Sequence, residues 1–365
     1  MAKPHIVILG CGFGGMYVAR RLAPEVRKGT IDVTIVHRTN YFLFTPLLHE
    51  VATGGLGPMS ISEPLREIFA GTGIRVRQAM ATKIDGVKKQ IHLEKGTLTY
   101  DTLVIATGAD SNFFGTPGAR EYALPLKTLQ DAITIRERVI HALERALCAP
   151  TKAEKKALLS FIVVGGGATG VELMAELAEF IVGVAHRYYR TEQRPFSEKD
   201  ITLTLISSGK DILSSFPPRI RSAAEKRLRA KGVTLRLETS VTAVSADGVI
   251  LKDGSRIPSA TVLWMAGVQP LLPEIIGPQP QVARGRLCVD SFFQIPELPK
   301  VFAMGDVAVR IVDGKPEPLP MLAQVAVAEA KTVACNVLAA VNDSAMRTFV
   351  FQLKGVLISL GQWYA

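Results

Sequence analysis

A glycine-rich turn occurs twice in this chain, each time in the same setting. His5-Ile6-Val7-Ile8-Leu9 is a short apolar run, and Gly10-Cys11-Gly12-Phe13-Gly14-Gly15 follows it. Phe161-Ile162-Val163-Val164 is a second such run, followed by Gly165-Gly166-Gly167-Ala168-Thr169-Gly170. Both turns obey G-x-G-x-x-G between a strand-like run and a helix-like segment, the context in which that pattern carries meaning. A later apolar run ending in glycine also repeats in nearly the same register: Leu103 to Gly108, with Ala106 and Thr107, and Val262 to Gly267. Two nucleotide-binding modules in series is the economical reading. The first glycine makes the strand-to-helix turn, the second lets backbone approach a pyrophosphate, and the third lets helix pack on strand. The phosphate then meets free N–H groups at the positive end of the helix.

Composition agrees with a chain of this kind. At 365 residues it has room for two or three domains of about 150 residues each. With 48% apolar and 21% charged residues it can bury a core without disulfides or metals. The net charge of +10 suggests an anionic partner, such as a phosphate-bearing cofactor or an acidic membrane surface. Cys11, Cys148, Cys288 and Cys335 form no C-x-x-C pair, and the six histidines form no metal constellation. No metal site is expected. Met1-Ala2-Lys3-Pro4 runs straight into a strand, so no signal peptide is expected. The longest charge-free stretches, 257–273 and 157–171, fall short of the about 20 residues of a membrane span.

Further segments add detail. Val301 to Ala308 is an apolar strand ending in Gly305-Asp306, which places a carboxylate where α/β sheets bind ligands. Asp306 could accept a hydrogen bond from a ribityl hydroxyl, or cap the next helix. Thr128–Cys148, with Ile133, Ile140, Leu143 and Leu147 at helical spacing, reads as an amphipathic helix. Arg219 to Lys231 is a basic helix-like stretch, read as a solvated face. No aromatic interleaving or recognition motif points to nucleic acid. Thr348–Leu353, Gly355 and Val356–Leu360 read as a hairpin, with Trp363 and Tyr364 suited to an interface.

Together these segments resemble the two-dinucleotide-binding-domain flavoproteins, and more narrowly the type II NADH:quinone oxidoreductases. The resemblance covers essentially the whole chain. It rests on Asn40 to Gly54, Gly170-Val171-Glu172 with Glu176-Leu177-Ala178, Trp264 to Val268, and Ala323-Gln324-Val325-Ala326. It implies an α/β fold of two Rossmann-like, glutathione-reductase-like domains, the NAD(P)H domain inserted in the FAD domain, with a short C-terminal β-hairpin. The expected boundaries are 1–156 and 269–344 for FAD, 157–268 for NAD(P)H and 345–365 for the hairpin. Gly10, Cys11, Gly12, Phe13, Gly14 and Gly15 would hold the FAD pyrophosphate. Ala81 would meet the adenine, Ala106, Thr107 and Gly108 would pass the flavin, and Gly305-Asp306 would bind its ribityl chain. Ala323 and Gln324 would lie at the pyrimidine edge, beside the quinone. Gly165, Gly167, Ala168, Thr169, Gly170 and Val171, with Gly267, would take NADH, and Glu172 would handle substrate or a proton.

The chain departs from the family pattern in places. His37-Arg38 stands where an acid is expected for the adenosine ribose, and a neutral imidazole can still make one such bond. Ser207 replaces a glutamate that repels a 2′-phosphate, and Lys210 is near, so NADPH should be tolerated beside NADH. Ala328 and Ala330 replace a glutamine and a glycine of the pattern. The implied reaction is hydride transfer from NAD(P)H to FAD, then passage of two electrons to a membrane quinone, without proton pumping. The resemblance also implies a peripheral enzyme on the cytoplasmic face of the inner or cell membrane, held by a C-terminal segment absent here, and a homodimer as one assembly. A sulfide:quinone oxidoreductase-like flavoenzyme and a non-enzymatic flavin or NAD(P)H sensor are the alternatives.

Overall fold

The computed structural model describes residues 3–189 and 196–361. In chain order the elements that position the sites begin with β1 (His5–Leu9), α1 (Phe13–Lys28), β2 (Asp32–His37), β3 (Arg75–Gln78) and β4 (Thr102–Ile105). Next come β5 (Ala123–Pro125), α2 (Leu129–Leu147), β6 (Ser160–Val164), α3 (Ala168–Tyr188) and β7 (Thr202–Ile206). The last are α4 (Pro218–Ala230), β8 (Val233–Arg236), β9 (Thr261–Trp264), β10 (Val301–Ala303) and α5 (Ala323–Val341).

The chain divides into two compact units. The first comprises Met1–Leu43, Ser62–Asp110 and Gln269–Lys354. Its sheet runs β10-β4-β1-β2-β3, every pair parallel. A parallel sheet is covered on both faces, which is why β1 and β4 read as unbroken apolar runs. Ile6, Val7, Ile8, Leu103, Val104 and Ile105 are all fully buried. The second unit comprises Phe44–Ile61, Ser111–Val268 and Gly355–Ala365. Its sheet runs β5-β9-β6-β7-β8, again parallel throughout. The duplicated turn is thus the visible part of a duplicated sheet.

The sheets divide the chain elsewhere than at 156. β5 pairs with β9, Ala123 opposite Val262, so residues from Ser111 onward belong to the second unit. A three-residue strand with a proline at its end leaves no period to read. α2 starts with a capping box: Thr128 Oγ1 accepts from Asp131 N–H at 3.1 Å, and Asp131 Oδ2 accepts from Thr128 N–H at 2.8 Å. Its buried face is Ala132, Ile135, Val139, Ala142, Leu143 and Ala146, while Ile140 is exposed. Leu143 is the one member of the expected stripe on that face, because alanines do the packing.

No strand forms over 345–360, which corrects the expected hairpin. The backbone there is held by side chains instead of a partner strand, Arg310 donating to Phe349 O among them. Asn336 of α5, fully buried, donates to Phe292 O and Arg347 O and accepts from Arg347 N–H. Lys354 N–H donates to Gln324 Oε1 at 3.3 Å. In the second unit, Ser359 is bonded to Glu172 and Glu176 of α3. Trp363 and Tyr364 lie outside the described residues.

One further helix bears on the expectation of no span. Among the described residues, α5 alone is long and apolar enough, by length and composition, to cross a membrane. In the fold its side chains Val325, Glu329, Ala330, Val333 and Asn336 are buried, and it packs along α1. It serves as a core helix of the first unit.

Candidate functional site

Both glycine turns sit at the carboxyl end of the central strand of their sheets, where such sheets bind ligands. In the first, Gly10 has φ +100° and a Cβ would lie 2.2 Å from Ala106 O. A Cβ on Gly15 would lie 1.9 Å from Gly10 O, so helix and strand pack only with glycine there. In the second turn Gly165 has φ +123°, and Gly170 would meet Gly165 O at 2.0 Å. The middle glycines are different. Gly12 and Gly167 are exposed, and nothing lies within 4 Å of a Cβ built on either. Each is the N-cap of its helix, α1 or α3, with no side-chain cap and no acid in the first turn. The first-turn N–H groups therefore face open space beside the positive helix end, a place for an anion.

Around the first turn, Cys11 N–H donates to His37 Nδ1 at 3.1 Å. Burial, and then the Arg38 charge, push the imidazole down to about 4, so His37 is neutral. Arg38 is exposed, and its carbonyl accepts from Gln78. Phe13 packs edge-to-face on Phe42 at 5.2 Å. A Cβ built on Gly14 would lie 3.0 Å from the Met304 side chain. The Cys11 thiol is buried and pushed up to about 12, which leaves it an inert packing group. Ala81 opens the strand Ala81–Asp85 and is half-buried. Thr107 Oγ1 donates to Leu271 O at 2.6 Å, and Leu271 N–H to Gly108 O.

On the same sheet, β10 ends at Ala303, Met304 follows, and Gly305 turns with φ +70° into Asp306. The helix α5 begins at Ala323 with N-cap Leu322, no side-chain cap and no acid in its first turn. Gln324 lies on that turn. Sequence reasoning passed over Glu329, one turn further along. It is buried, and its Oε2 accepts from Gly305 N–H at 2.6 Å. Burial pushes its carboxyl up to about 7 against the pull of Gly305, Arg310 and Arg286. The available signal was a single acid in the run Ala-Gln-Val-Ala-Val-Ala-Glu-Ala. A pocket lined by Arg286, Asp306, Arg310, Glu317 and Glu329 opens beside Pro320–Leu322. Ala330 is fully buried in the core and Ala328 packs partly against it, so both face the packed interior.

In the second unit, Ala168, Thr169 and Val171 form the first turn of α3, and Val171 N–H closes on Gly167 O at 3.0 Å. Glu172 Oε1 accepts from Ser359 N–H at 3.3 Å, and Ser359 Oγ donates to Glu176 Oε1 at 3.2 Å. Burial first, and the Glu176 charge after it, raise Glu172 to about 7. Glu176 is raised as well, chiefly by burial. Ser207 is buried at the end of β7 beside Gly166, and its Oγ accepts from Gly209 N–H at 3.3 Å. A Cβ on Gly267 would lie 2.7 Å from the Phe114 ring. Among the described residues no group of side chains is arranged for a metal ion. All four cysteines are free.

The comparisons with known proteins follow this geometry. The family model of pyridine nucleotide-disulphide oxidoreductases matches residues 4–330. An external alternative NAD(P)H-ubiquinone oxidoreductase, B4, of Arabidopsis thaliana mitochondria is 35% identical over 84% of this chain. The chain spans only 54% of that protein's length. The type II NADH:quinone oxidoreductase Ndh of Mycobacterium tuberculosis is 31% identical over 100% of this chain and 79% of its own. The structure of NDH2 from Plasmodium falciparum in complex with NADH shares the fold, with a TM-score of 0.86 at 22% identity over 99% of this chain and 89% of that one. The chain belongs to the pyridine nucleotide-disulphide oxidoreductases and, within them, to the type II NADH:quinone oxidoreductases.

Proposed function

We propose that this chain binds FAD on its first unit and NAD(P)H on its second, and passes electrons from NAD(P)H to a membrane quinone. The observation that carries the reading is the pair of open glycines, Gly12 and Gly167, each at an uncapped helix start. Space for a Cβ is present at both, yet no side chain is used there. The residues fit a dinucleotide on each unit. When bound, FAD would supply the redox chemistry that links NAD(P)H to the acceptor.

The chain's own groups bind and orient. The first-turn amides of α1 hold a pyrophosphate, and His37, neutral, offers a ribose hydroxyl its Nε2–H. Asp306 takes a ribityl hydroxyl. The uncapped start of α5 at Ala323-Gln324 presents its positive end to negative charge on the ring. The first-turn amides of α3 take the nicotinamide dinucleotide. Glu172, partly protonated near neutral pH, holds a proton beside that ligand. The net charge of +10 supports docking at an anionic membrane surface, on its cytoplasmic face. Ser207, carrying no charge, supports acceptance of NADPH.

The substitutions Gly12→Val and Gly167→Val test the reading separately, because nothing lies within 4 Å of a Cβ at either position. The first should abolish FAD retention. The second should keep FAD and lose NADH binding. Retention of both ligands by both variants contradicts the proposal.

A further inference from the structure

Glu329 is a carboxyl group placed at a cost. It is 5% exposed, and it lies on the helix face that also buries Val325, Ala330 and Val333. Burying such a group is unfavourable unless a specific partner compensates. That partner is the backbone N–H of Gly305, 2.6 Å from Oε2. The amide belongs to a residue at φ +70°, in the left-handed region that glycine adopts readily. The turn is short: buried Met304 precedes it and Asp306 follows it. From other elements of the first unit, Arg286, Asp306 and Arg310 act electrostatically on Glu329. Arg310 in turn donates to Phe349 O, pairs with Glu317 and lies 5.1 Å over the Phe349 ring.

We propose that Glu329 is a positioning residue of the cofactor site: its carboxyl group clamps Gly305 and thereby sets where Asp306 presents its oxygens to the ribityl chain. The inference rests on the reading that the first unit binds FAD. Glu329 touches no ligand in this account and acts through the Gly305–Asp306 turn. The carboxyl oxygen is the acceptor for the Gly305 N–H, and the bond strengthens further when the group is ionised. An amide oxygen at the same place would keep the bond at reduced strength. A methyl group would leave the Gly305 N–H without its partner.

The test compares the wild type with Glu329→Gln and Glu329→Ala by two measurements. The first is the dissociation constant of FAD, from flavin fluorescence during reconstitution of the cofactor-free protein. Removing the acceptor in Glu329→Ala should weaken FAD by about tenfold or more, whereas Glu329→Gln should stay within about threefold of wild type. The second is amide hydrogen exchange at Gly305 without FAD, which should speed up by about tenfold in the alanine variant and little in the glutamine variant. Equal Gly305 exchange in wild type and Glu329→Ala overturns the clamp. Equal loss of FAD affinity in both variants overturns it too, since the glutamine keeps the acceptor. A wild-type protein that takes up no FAD overturns the cofactor reading, and the exchange comparison still decides the clamp.

Discussion

Cys11 N–H donates to His37 Nδ1 across 3.1 Å, joining the glycine turn after β1 to the end of β2. The bond fixes the tautomer: Nδ1 is the acceptor, so the ring proton sits on Nε2. An acid at this position would accept from a ribose hydroxyl, whereas His37, in the proposed FAD site, would donate to it. That exchange of roles would keep the hydrogen bond with one negative charge fewer.

His37→Ala should therefore loosen the turn and weaken FAD binding by about tenfold, the worth of one or two buried hydrogen bonds. FAD titrations of the two proteins check it. His37 in the folded chain should show no titration above about pH 5, which NMR of the imidazole would read. The sign of the stability effect follows. The ordinary value is 6.5, and His37 and the buried His49 both fall to about 4. Between those values the unfolded chain takes up protons that the folded chain refuses, so both residues lower stability as pH falls from 6.5 toward 4.

Glu172 has the opposite sign. Its folded value of about 7 lies above the ordinary 4.5, so the folded chain binds the extra proton. Its contribution is present below 4.5 and lost as pH rises through 7. Glu172→Gln, which mimics the protonated form, should gain thermal stability over wild type at pH 8 relative to pH 5. The same variant should lower NADH-dependent quinone turnover by about a hundredfold if Glu172 handles a proton. Unchanged turnover and a pH-independent stability difference would remove Glu172 from the account.

Ser207 ends β7 without a charge, and its hydroxyl is taken by Gly209 N–H. The wild type should use NADPH with a kcat/KM within about a hundredfold of that for NADH. Ser207→Glu should depress the NADPH value by about tenfold or more while sparing NADH, through repulsion of the 2′-phosphate. Steady-state kinetics with both coenzymes decide it, and a wild-type preference for NADH above a hundredfold sinks the idea.

Much of the fold was legible because the chain writes it twice. Apolar runs followed by G-x-G-x-x-G mark β1 and β6, and the glycine contacts at Gly15 and Gly170 show why no other residue serves there. β5 was not legible, because Ala-Leu-Pro is short and owes its pairing to β9. The face of α2 was misread because alanines at 132, 142 and 146 pack where larger residues were expected. The stretch 345–360 looks like a hairpin by alternation alone. Its backbone partners are the side chains of Asn336, Arg310, Gln324 and Glu172, none of them a neighbouring strand, and Glu176 takes the Ser359 hydroxyl. Glu329 escaped notice for the same reason. Its partner is 24 residues away, and no local pattern links an acid on α5 to a glycine after β10.

The most direct measurement is an anaerobic titration of the FAD-reconstituted protein, first with NADH and then with a ubiquinone or menaquinone analogue, following the flavin absorbance. The account predicts bleaching at one equivalent of NADH per flavin and full recovery at one equivalent of quinone. A protein that retains no flavin, or one that bleaches with NADH and does not recover with quinone, contradicts it.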